Sequence, residues 1–251
     1  MSEDLSIALR CSNRAAELAL SYFEPDVAVS LKADGTPVTA ADQAVEQLLR
    51  DLLSSEAPGD ALLGEEFGRL GESDRLWILD PIDGTSFFGR HDPNWRVHMA
   101  LEVAGETEVA VVTAPALGRQ WWATRGGGAF EATWPSIGDE KRLSVSQTVA
   151  VEESIVGALD EESRLRLPPL TTAAPPSPLP LVELLRGQID AFLVEGFHVW
   201  DHSPWILLIE EAGGKFMDRS GGRSGYAGGG LYSNRFLHSE LVAAVGYEPK
   251  R

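Results

Sequence analysis

Two aspartates lie three residues apart in the hexad 80–85, which reads Asp-Pro-Ile-Asp-Gly-Thr and follows an apolar segment at 76–79. Pro81 predicts that this strand ends at Asp80, because the proline ring fixes its own φ and holds the preceding residue in extended geometry. The glycine and threonine that follow would offer backbone N–H groups to an anion where the next helix begins. Carboxylates beside such N–H groups suit a hard divalent cation and a phosphoryl group. The alternative is a turn with solvated aspartates, since Asp, Pro and Gly all favour turns.

Two further acidic segments strengthen the metal hypothesis. The pair Glu65-Glu66 follows the short apolar run 61–63, and Asp201 precedes a long apolar helical stretch. Asp201 is predicted to be the N-cap of that helix, which has Pro204 in its first turn and two glycines past its end. Taken singly, the glutamates could be solvated loop residues and Asp201 could be only a cap. Taken together, they predict a carboxylate cluster, and an oxygen-only donor set favours Mg²⁺ over zinc.

Helices and strands alternate along the chain, which predicts an α/β protein. Apolar spacing predicts helices over 3–23 and 39–54, and the segment Thr39–Asp42 resembles a capping box with Asp in place of Glu. Alternating segments at 95–103, 108–116 and 120–125 predict consecutive antiparallel strands. His98 lies inside the first of these and is interpreted as an ordinary strand residue, and the five histidines form no zinc motif.

Composition limits the function classes. The chain has 251 residues, 43% of them hydrophobic, a net charge of −17 and one cysteine, Cys11. The charge opposes nucleic-acid binding, and we expect no membrane partner because the sequence shows neither a long apolar run nor an N-terminal apolar signal region. A single cysteine excludes a disulfide framework within the chain and fits a reducing cytoplasm. A chain this acidic needs bound cations to invert the local potential if it is to hold a phosphoryl group.

At these motifs the chain resembles the inositol-monophosphatase-like phosphatases. The motifs are Gly64-Glu65-Glu66, the stretch 77–85, Trp200-Asp201 with 211–214, and the segment 32–42, and the resemblance runs from roughly residue 5 to residue 245. Within the family the chain is most similar to bacterial histidinol-phosphate phosphatases. That similarity rests on the segments 36–39, 90–95, 113–117 and 121–123.

The resemblance implies a layered α-β-α-β-α sandwich that forms one compact catalytic unit. We expect a metal- and phosphate-binding subdomain over residues 1–140 and a C-terminal α/β subdomain over residues 141–251. It also implies a homodimer that uses about two or three Mg²⁺ ions and is inhibited by Li⁺. The implied reaction is hydrolysis of a phosphomonoester by a metal-activated water, without a covalent phosphoenzyme.

The resemblance also assigns roles to individual residues. The implied metal ligands are Glu65, Asp80, the Ile82 carbonyl, Asp83 and Asp201. The implied catalytic residues, which orient and deprotonate the attacking water, are Asp42, Glu65 and Thr85, although Asp42 could instead serve only as a capping carboxylate. Gly84 and Thr85 are expected to bind the phosphate through their N–H groups. Lys32 and Asp34 are expected to belong to a mobile loop over the site.

The substrate is less well defined, because the chain departs from its relatives here. The candidate substrate-binding residues are Arg90, Trp95, Glu195 and His198. The family commonly has an acidic residue seven positions before the metal aspartate. Val194 occupies that position here, and Glu195 follows it. A shift of one residue in a strand turns the side chain to the opposite face of the sheet. Arg96 has no expected counterpart and could touch phosphate or face solvent.

Three functions remain open. The first is a phosphatase acting on histidinol phosphate or, alternatively, on an inositol, sugar or nucleoside phosphate. The second is a non-catalytic member that binds a phosphorylated ligand. The third is nucleotide binding through the glycine runs at 126–128 or 228–230, which lack the strand-loop-helix context and the lysine of a phosphate-binding loop.

Overall fold

The computed structural model describes residues 2–24, 29–31, 37–135, 138–248 and 250. The expected loop residues Lys32 and Asp34 lie outside these described ranges. The chain divides into two compact units, one formed by residues 1–125 and 130–141, and the other by residues 126–129 and 142–251.

The first unit contains three helices and most of the strands. Its elements in chain order are α1 (Glu3–Tyr22), β1 (Ser30–Leu31), β2 (Pro37–Val38), α2 (Ala40–Glu56), β3 (Ala61–Gly64), β4 (Gly68–Leu70), β5 (Arg75–Asp83), α3 (Thr85–Gly89), β6 (Arg96–Val103), β7 (Glu106–Ala114), β8 (Arg119–Thr124), β9 (Gly128–Thr133) and β10 (Lys141–Arg142). The last two strands cross the division of the chain between the units.

Strands β3 to β10 form one eight-stranded sheet in the order β10-β9-β8-β7-β6-β5-β3-β4. Helices α1 and α2 pack on β5, β6 and β7, because both helices carry an apolar stripe and odd-numbered strand residues such as Trp77 and Met99 face them. Even-numbered residues of β5 and β6, among them Asp80 and His98, therefore belong to the opposite face of the sheet. The predicted strands at 95–103, 108–116 and 120–125 correspond to β6, β7 and β8.

The prediction that the strand ends at Asp80 is wrong. β5 continues to Asp83, and its pairing with β6 shifts between the Asp80–His98 pair and the Asp83–Arg96 pair. Three steps along β5 match two steps along β6, which is a β-bulge. Pro81 lies inside this bulge, where a residue without an N–H group removes no bond from the ladder. The two aspartates therefore both remain opposite residues of β6.

The second unit is built on a five-stranded sheet in the order β12-β11-β13-β15-β14. Its elements are β11 (Ile155–Ala158), α4 (Glu161–Leu165), β12 (Thr172–Ala173), α5 (Pro180–Leu185), β13 (Ala191–Glu195), α6 (Val199–Glu211), β14 (Gly214–Asp218), β15 (Gly229–Asn234) and α7 (His238–Ala244). β11 is parallel to β12 and β13, whereas β15 is antiparallel to β13 and β14.

Helices cover both faces of this second sheet. Leu193 and Leu231 on one face share a core with Leu241 of α7, and Tyr232 on the other face bonds His202 of α6. The unit is thus an α-β-α sandwich, and the α/β fold class expected from the sequence is confirmed in both units. Among the described residues, no helix combines the length and the apolar character needed to cross a membrane.

Candidate active site

The parallel pairing of β3 with β5 places Glu65 next to Asp80 in the first sheet. β3 runs parallel to β5, with Gly64 paired to Leu79, and the Glu65 N–H donates to the Leu79 carbonyl oxygen at 3.2 Å. Asp80 is the next residue on β5. This topology brings the backbones of Glu65 and Asp80 side by side, and the proximity of their carboxylates stays a prediction.

Asp80 and Asp83 form a close cluster with His98 of β6. One ligand atom from each of the three side chains can be chosen so that all three atoms lie within 4.8 Å of one another. His98 Nε2 lies 3.4 Å from Asp83 Oδ2, and its Nδ1 lies 4.0 Å from Asp80 Oδ2. The sequence reading of His98 as an ordinary strand residue missed this contact, because it depends on the register between β5 and β6. Asp80 also accepts the Ile82 N–H at 3.1 Å, which helps to hold the bulge.

Arg96 contacts the same cluster. Its Nε donates to Asp83 Oδ2 at 2.6 Å, and its Nη2 contacts the same oxygen. The Arg96 side chain is 11% exposed and that of Asp83 is 18% exposed, so water screens this ion pair weakly. The cluster therefore combines two carboxylates with two basic side chains.

Thr85 connects this cluster to the start of α2. Its hydroxyl lies 3.0 Å from Asp42 Oδ1 and 3.1 Å from the Ile82 carbonyl oxygen, and it can donate to either. Asp42 closes the capping box that the sequence predicted, since its Oδ2 accepts from the Thr39 N–H at 2.8 Å and the Thr39 hydroxyl at 2.6 Å. Burial raises the pKa of Asp42, and the hydrogen bonds from Thr39 and Thr85 oppose that shift only in part.

Gly84 makes the turn between the cluster and α3. It has a left-handed backbone with φ of 86°, which glycine adopts without strain, and a Cβ there would lie 3.3 Å from the Asn94 carbonyl oxygen. Thr85 is the first residue of the five-residue helix α3. The positions of Gly84 and Thr85 thus agree with the predicted strand-to-helix turn.

Trp95 does not line an open site. The expected substrate contact is not supported, because Trp95 is fully buried in the core, where its ring packs edge-on against Phe88 at 4.9 Å and tilted against Phe23 at 5.4 Å. Arg90 at the end of α3 is exposed and lies over the Phe87 ring at 5.3 Å. Of these two candidates, Arg90 is the one whose side chain can meet a ligand.

A buried glutamate that the sequence reading missed holds the turn after Glu65. Glu46 of α2 is fully buried, and its carboxylate accepts the Glu66 N–H at 2.6 Å and the Phe67 N–H at 3.1 Å. Arg50 Nε donates to the same carboxylate at 2.8 Å. A Cβ at Gly64 would lie 2.1 Å from Glu46 Oε1, so only glycine admits the carboxylate here. The available signal was a charged residue on the apolar stripe of α2 with an arginine four residues later.

Asp201 lies in the second unit, within the first turn of α6. The prediction that it is the N-cap is wrong: the helix begins at Val199 with His198 as N-cap, and Asp201 Oδ2 accepts the His198 N–H at 2.8 Å. The carboxylate therefore reaches back over the helix start, as the third residue of a capping box does. His198 is exposed and stacks on Trp200 at 4.7 Å.

Glu195 is held by two neighbours in the second unit. Its carboxylate accepts from Arg166 Nη1 at 2.6 Å and from the Tyr247 hydroxyl. Burial raises the pKa of Glu195, but the hydrogen bonds from Tyr247 and Arg166 outweigh it and lower the pKa below its usual value. The expected role of Glu195 as a free acidic contact for the substrate is therefore not supported.

The donor set suits a hard divalent cation. Carboxylate oxygens at the edge of a sheet, with a main-chain carbonyl nearby, are ligands that Mg²⁺ accepts, and the imidazole of His98 adds a nitrogen donor of the kind that Mn²⁺ and Zn²⁺ tolerate better. Asp42 and Thr85 lie beside this set as a coupled acid and hydroxyl. Such an arrangement can hold a cation and an anion together next to a group that accepts protons.

Comparison with known proteins agrees with this chemistry. The sequence matches the inositol monophosphatase family over residues 1–248. A Streptomyces griseus protein named glucose-1-phosphate thymidylyltransferase is 41% identical over 234 residues, which cover 88% of each chain. A Mycobacterium tuberculosis histidinol-phosphatase is 35% identical over 263 residues, 97% of this chain and 98% of that protein.

A solved structure confirms the fold. The Thermotoga maritima IMPase superposes with a TM-score of 0.82 at 27% identity, and the match covers 97% of both chains. The family resemblance read from the motifs is confirmed by the family match and by the histidinol-phosphatase relative. Members of this family are metal-dependent enzymes that hydrolyse phosphate monoesters. The chain belongs to the inositol monophosphatase family and is a phosphoric monoester hydrolase.

Proposed function

We propose that the protein is a Mg²⁺-dependent phosphatase of small phosphorylated alcohols, with histidinol phosphate as its preferred substrate. The observation that carries the catalytic part is the cluster of Asp80, Asp83 and His98 beside the hydrogen-bonded pair Asp42–Thr85. In this proposal the metal ligands in the first unit are Glu65, Asp80, the Ile82 carbonyl and Asp83. When bound, Mg²⁺ neutralises the phosphate dianion and makes an attacking water more acidic.

The pair Asp42–Thr85 supplies the proton acceptor in this proposal. Where the Thr85 hydroxyl donates to Asp42, its oxygen keeps lone pairs that can accept a hydrogen bond from water. A proton can then pass from the water to Thr85 while the Thr85 proton moves to Asp42. The raised pKa of Asp42 makes this carboxylate a better proton acceptor than an exposed aspartate.

The backbone next to this pair is proposed to bind the phosphate. The N–H groups of Gly84 and Thr85 lie at the start of α3, and a left-handed glycine followed by helical residues directs successive N–H groups to one side. Arg90, which belongs to the same unit, is exposed and remains our candidate for a contact with the rest of the substrate.

The substrate preference is supported by the histidinol-phosphatase relative, which covers nearly the whole chain. Inositol, sugar and nucleoside phosphates are the alternatives. The pairing of Glu195 with Arg166 favours testing them, because a neutralised carboxylate attracts a cationic substrate weakly. The S. griseus relative carries the name of a nucleotidyltransferase, so thymidylyl transfer from dTTP to glucose 1-phosphate belongs in the same assay.

The test measures phosphate release from a panel of esters with and without Mg²⁺. We expect release to require the metal, to be greatest with histidinol phosphate, and to be lost in Asp83→Asn, whereas Asp139→Asn, which removes an aspartate outside the cluster, should retain it. Both variants should keep the circular dichroism spectrum of the parent. Unchanged turnover of Asp83→Asn at saturating Mg²⁺ would exclude the proposed metal site.

Release from no ester would support the alternative of a non-catalytic phospho-ligand-binding protein. Inhibition by Li⁺ and a homodimer measured by light scattering are further expectations of the proposal.

A further inference from the structure

Strand β6 places a basic residue opposite each aspartate of the cluster. His98 is the Cα partner of Asp80, and Arg96 is the Cα partner of Asp83. Arg96 and His98 are two residues apart on one strand, so their side chains leave the same face of the sheet. The bulge in β5 brings Asp83 back into register with Arg96, and without it the two residues would not meet.

Arg96 holds the carboxylate that the proposed metal would bind. Two nitrogens of its guanidinium contact the same oxygen of Asp83, Nε at 2.6 Å, and both side chains are mostly buried. A planar guanidinium bound to a carboxylate by two donors is more strongly attached than a single lysine ammonium. A divalent cation that binds this oxygen of Asp83 must therefore compete with a fixed positive charge for it, and a cation at either oxygen of Asp83 is repelled by that charge.

We propose that the Arg96 guanidinium competes with the metal for Asp83, which weakens metal binding there and makes tight metal binding depend on phosphate. This inference rests on the proposed metal-dependent function. A phosphate group carries oxygens that can take over the guanidinium, because Arg binds phosphate in the same two-donor geometry as carboxylate. Metal and phosphate should then bind cooperatively, since each removes a competitor of the other.

The experiment measures Mg²⁺ binding directly by isothermal titration calorimetry, with and without inorganic phosphate, on the full chain. We expect Arg96→Met to bind Mg²⁺ at least about tenfold more tightly than the parent, which corresponds to about 1.4 kcal/mol. Phosphate should tighten Mg²⁺ binding in the parent and have a much smaller effect in Arg96→Met. Arg96→Lys keeps the charge and loses the fork, so its affinity should lie between the two.

Arg14→Gln is the matched control. It removes one positive charge from an exposed ion pair with Glu17 on α1, outside the cluster. Its Mg²⁺ affinity should equal that of the parent. Thermal unfolding of each variant with and without Mg²⁺ provides a second readout, in which Mg²⁺ should raise the melting temperature of Arg96→Met more than that of the parent.

Each outcome decides between defined alternatives. Tighter binding in Arg96→Met but not in Arg14→Gln supports competition, and equal or weaker binding in a folded Arg96→Met overturns it while leaving the metal site intact. An equal gain in both variants assigns the effect to net charge and also overturns it. Absence of Mg²⁺ binding in every variant removes the metal site and therefore the proposed function. If Arg96→Met does not fold, Arg96→Lys decides, and an affinity no tighter than that of the parent overturns the inference.

Discussion

Replacing Glu46 by Gln tests whether a buried carboxylate fixes the turn that carries Glu65. Glu46 accepts two backbone N–H groups from residues 66 and 67 and a third bond from Arg50, and none of its side chain is exposed. In Glu46→Gln the amide NH₂ must face at least one of these donors, because only one of its two terminal groups is an acceptor. One donor is then left buried opposite another donor.

The expected loss follows from the geometry of the ion pair. Breaking a buried ion pair by removing one partner costs roughly 3–5 kcal/mol, and each hydrogen bond to a charged group contributes about 1.5–3 kcal/mol. Gln keeps the shape and one acceptor of Glu, so we expect a loss of about 3 kcal/mol from the free energy of unfolding. That is a large part of the roughly 5–15 kcal/mol typical of folded proteins.

Urea unfolding followed by tryptophan fluorescence measures this loss. The matched control is Glu211→Gln, because Glu211 also accepts two backbone N–H groups, from Gly126 and Gly128, each at 2.8 Å. Glu211 is only half-buried, so water can satisfy the groups that Gln leaves unpaired, and we expect a loss of about 1 kcal/mol. The reasoning is refuted if Glu46→Gln loses less than about 1 kcal/mol or no more than the control. In that case the turn after Glu65 is held by other contacts.

Three further predictions concern titration and reactivity. Asp42 must be ionised to accept a proton, so Asp42→Asn should lower kcat at least about tenfold and remove the acidic limb of the pH–rate profile. In the parent this limb should lie at a higher pH than for an ordinary aspartate, because burial raises the pKa of Asp42. Burial and the nearby Lys215 lower the pKa of His238 to about 4, so the folded protein favours its neutral form. We therefore expect the free energy of unfolding to fall by up to about 3 kcal/mol as pH falls from about 6.5 to 4. A His238→Gln variant with the same pH dependence of stability would contradict this. Burial, assisted by the charge of Glu56, raises the pKa of Cys11 to about 12, so a thiol reagent at pH 8 should label Cys11 only after unfolding. Rapid labelling of the native chain would contradict this and show that the core around α1 opens.

The features that the sequence predicted correctly depend on neighbours within a few residues. The capping box of α2 needs only Thr39 and Asp42 three residues apart, and the turn at Gly84 needs only a residue that tolerates a positive φ. The periodicity of α1, α2 and β6 to β8 is likewise local. These elements could be located without knowledge of their partners.

The differences between prediction and structure concern contacts between segments that are distant in sequence. Pro81 was expected to end its strand, but β6 accommodates the extra residue as a bulge. The position of Trp95 suggests a substrate contact, whereas Phe23 and Phe88 enclose its ring in the core. The two partners of Glu195 come from 29 and 52 residues away, so no local pattern could indicate that its carboxylate is occupied. Register and burial decide such positions, and neither is encoded in spacing alone.

The charges around Asp83 indicate that the fold does not depend on a bound metal, whereas catalysis does. Bringing Asp80 and Asp83 together in the first unit would be unfavourable if their charges were uncompensated, and the Arg96 guanidinium provides compensation from within the same sheet. Chelation of divalent cations should therefore leave the secondary structure unchanged and abolish phosphate release. Arg96 compensates the charge of Asp83 in the protein without metal, and in our proposal it binds the substrate phosphate once a metal has displaced it from Asp83. The same side chain would thus contribute to both folding and substrate binding.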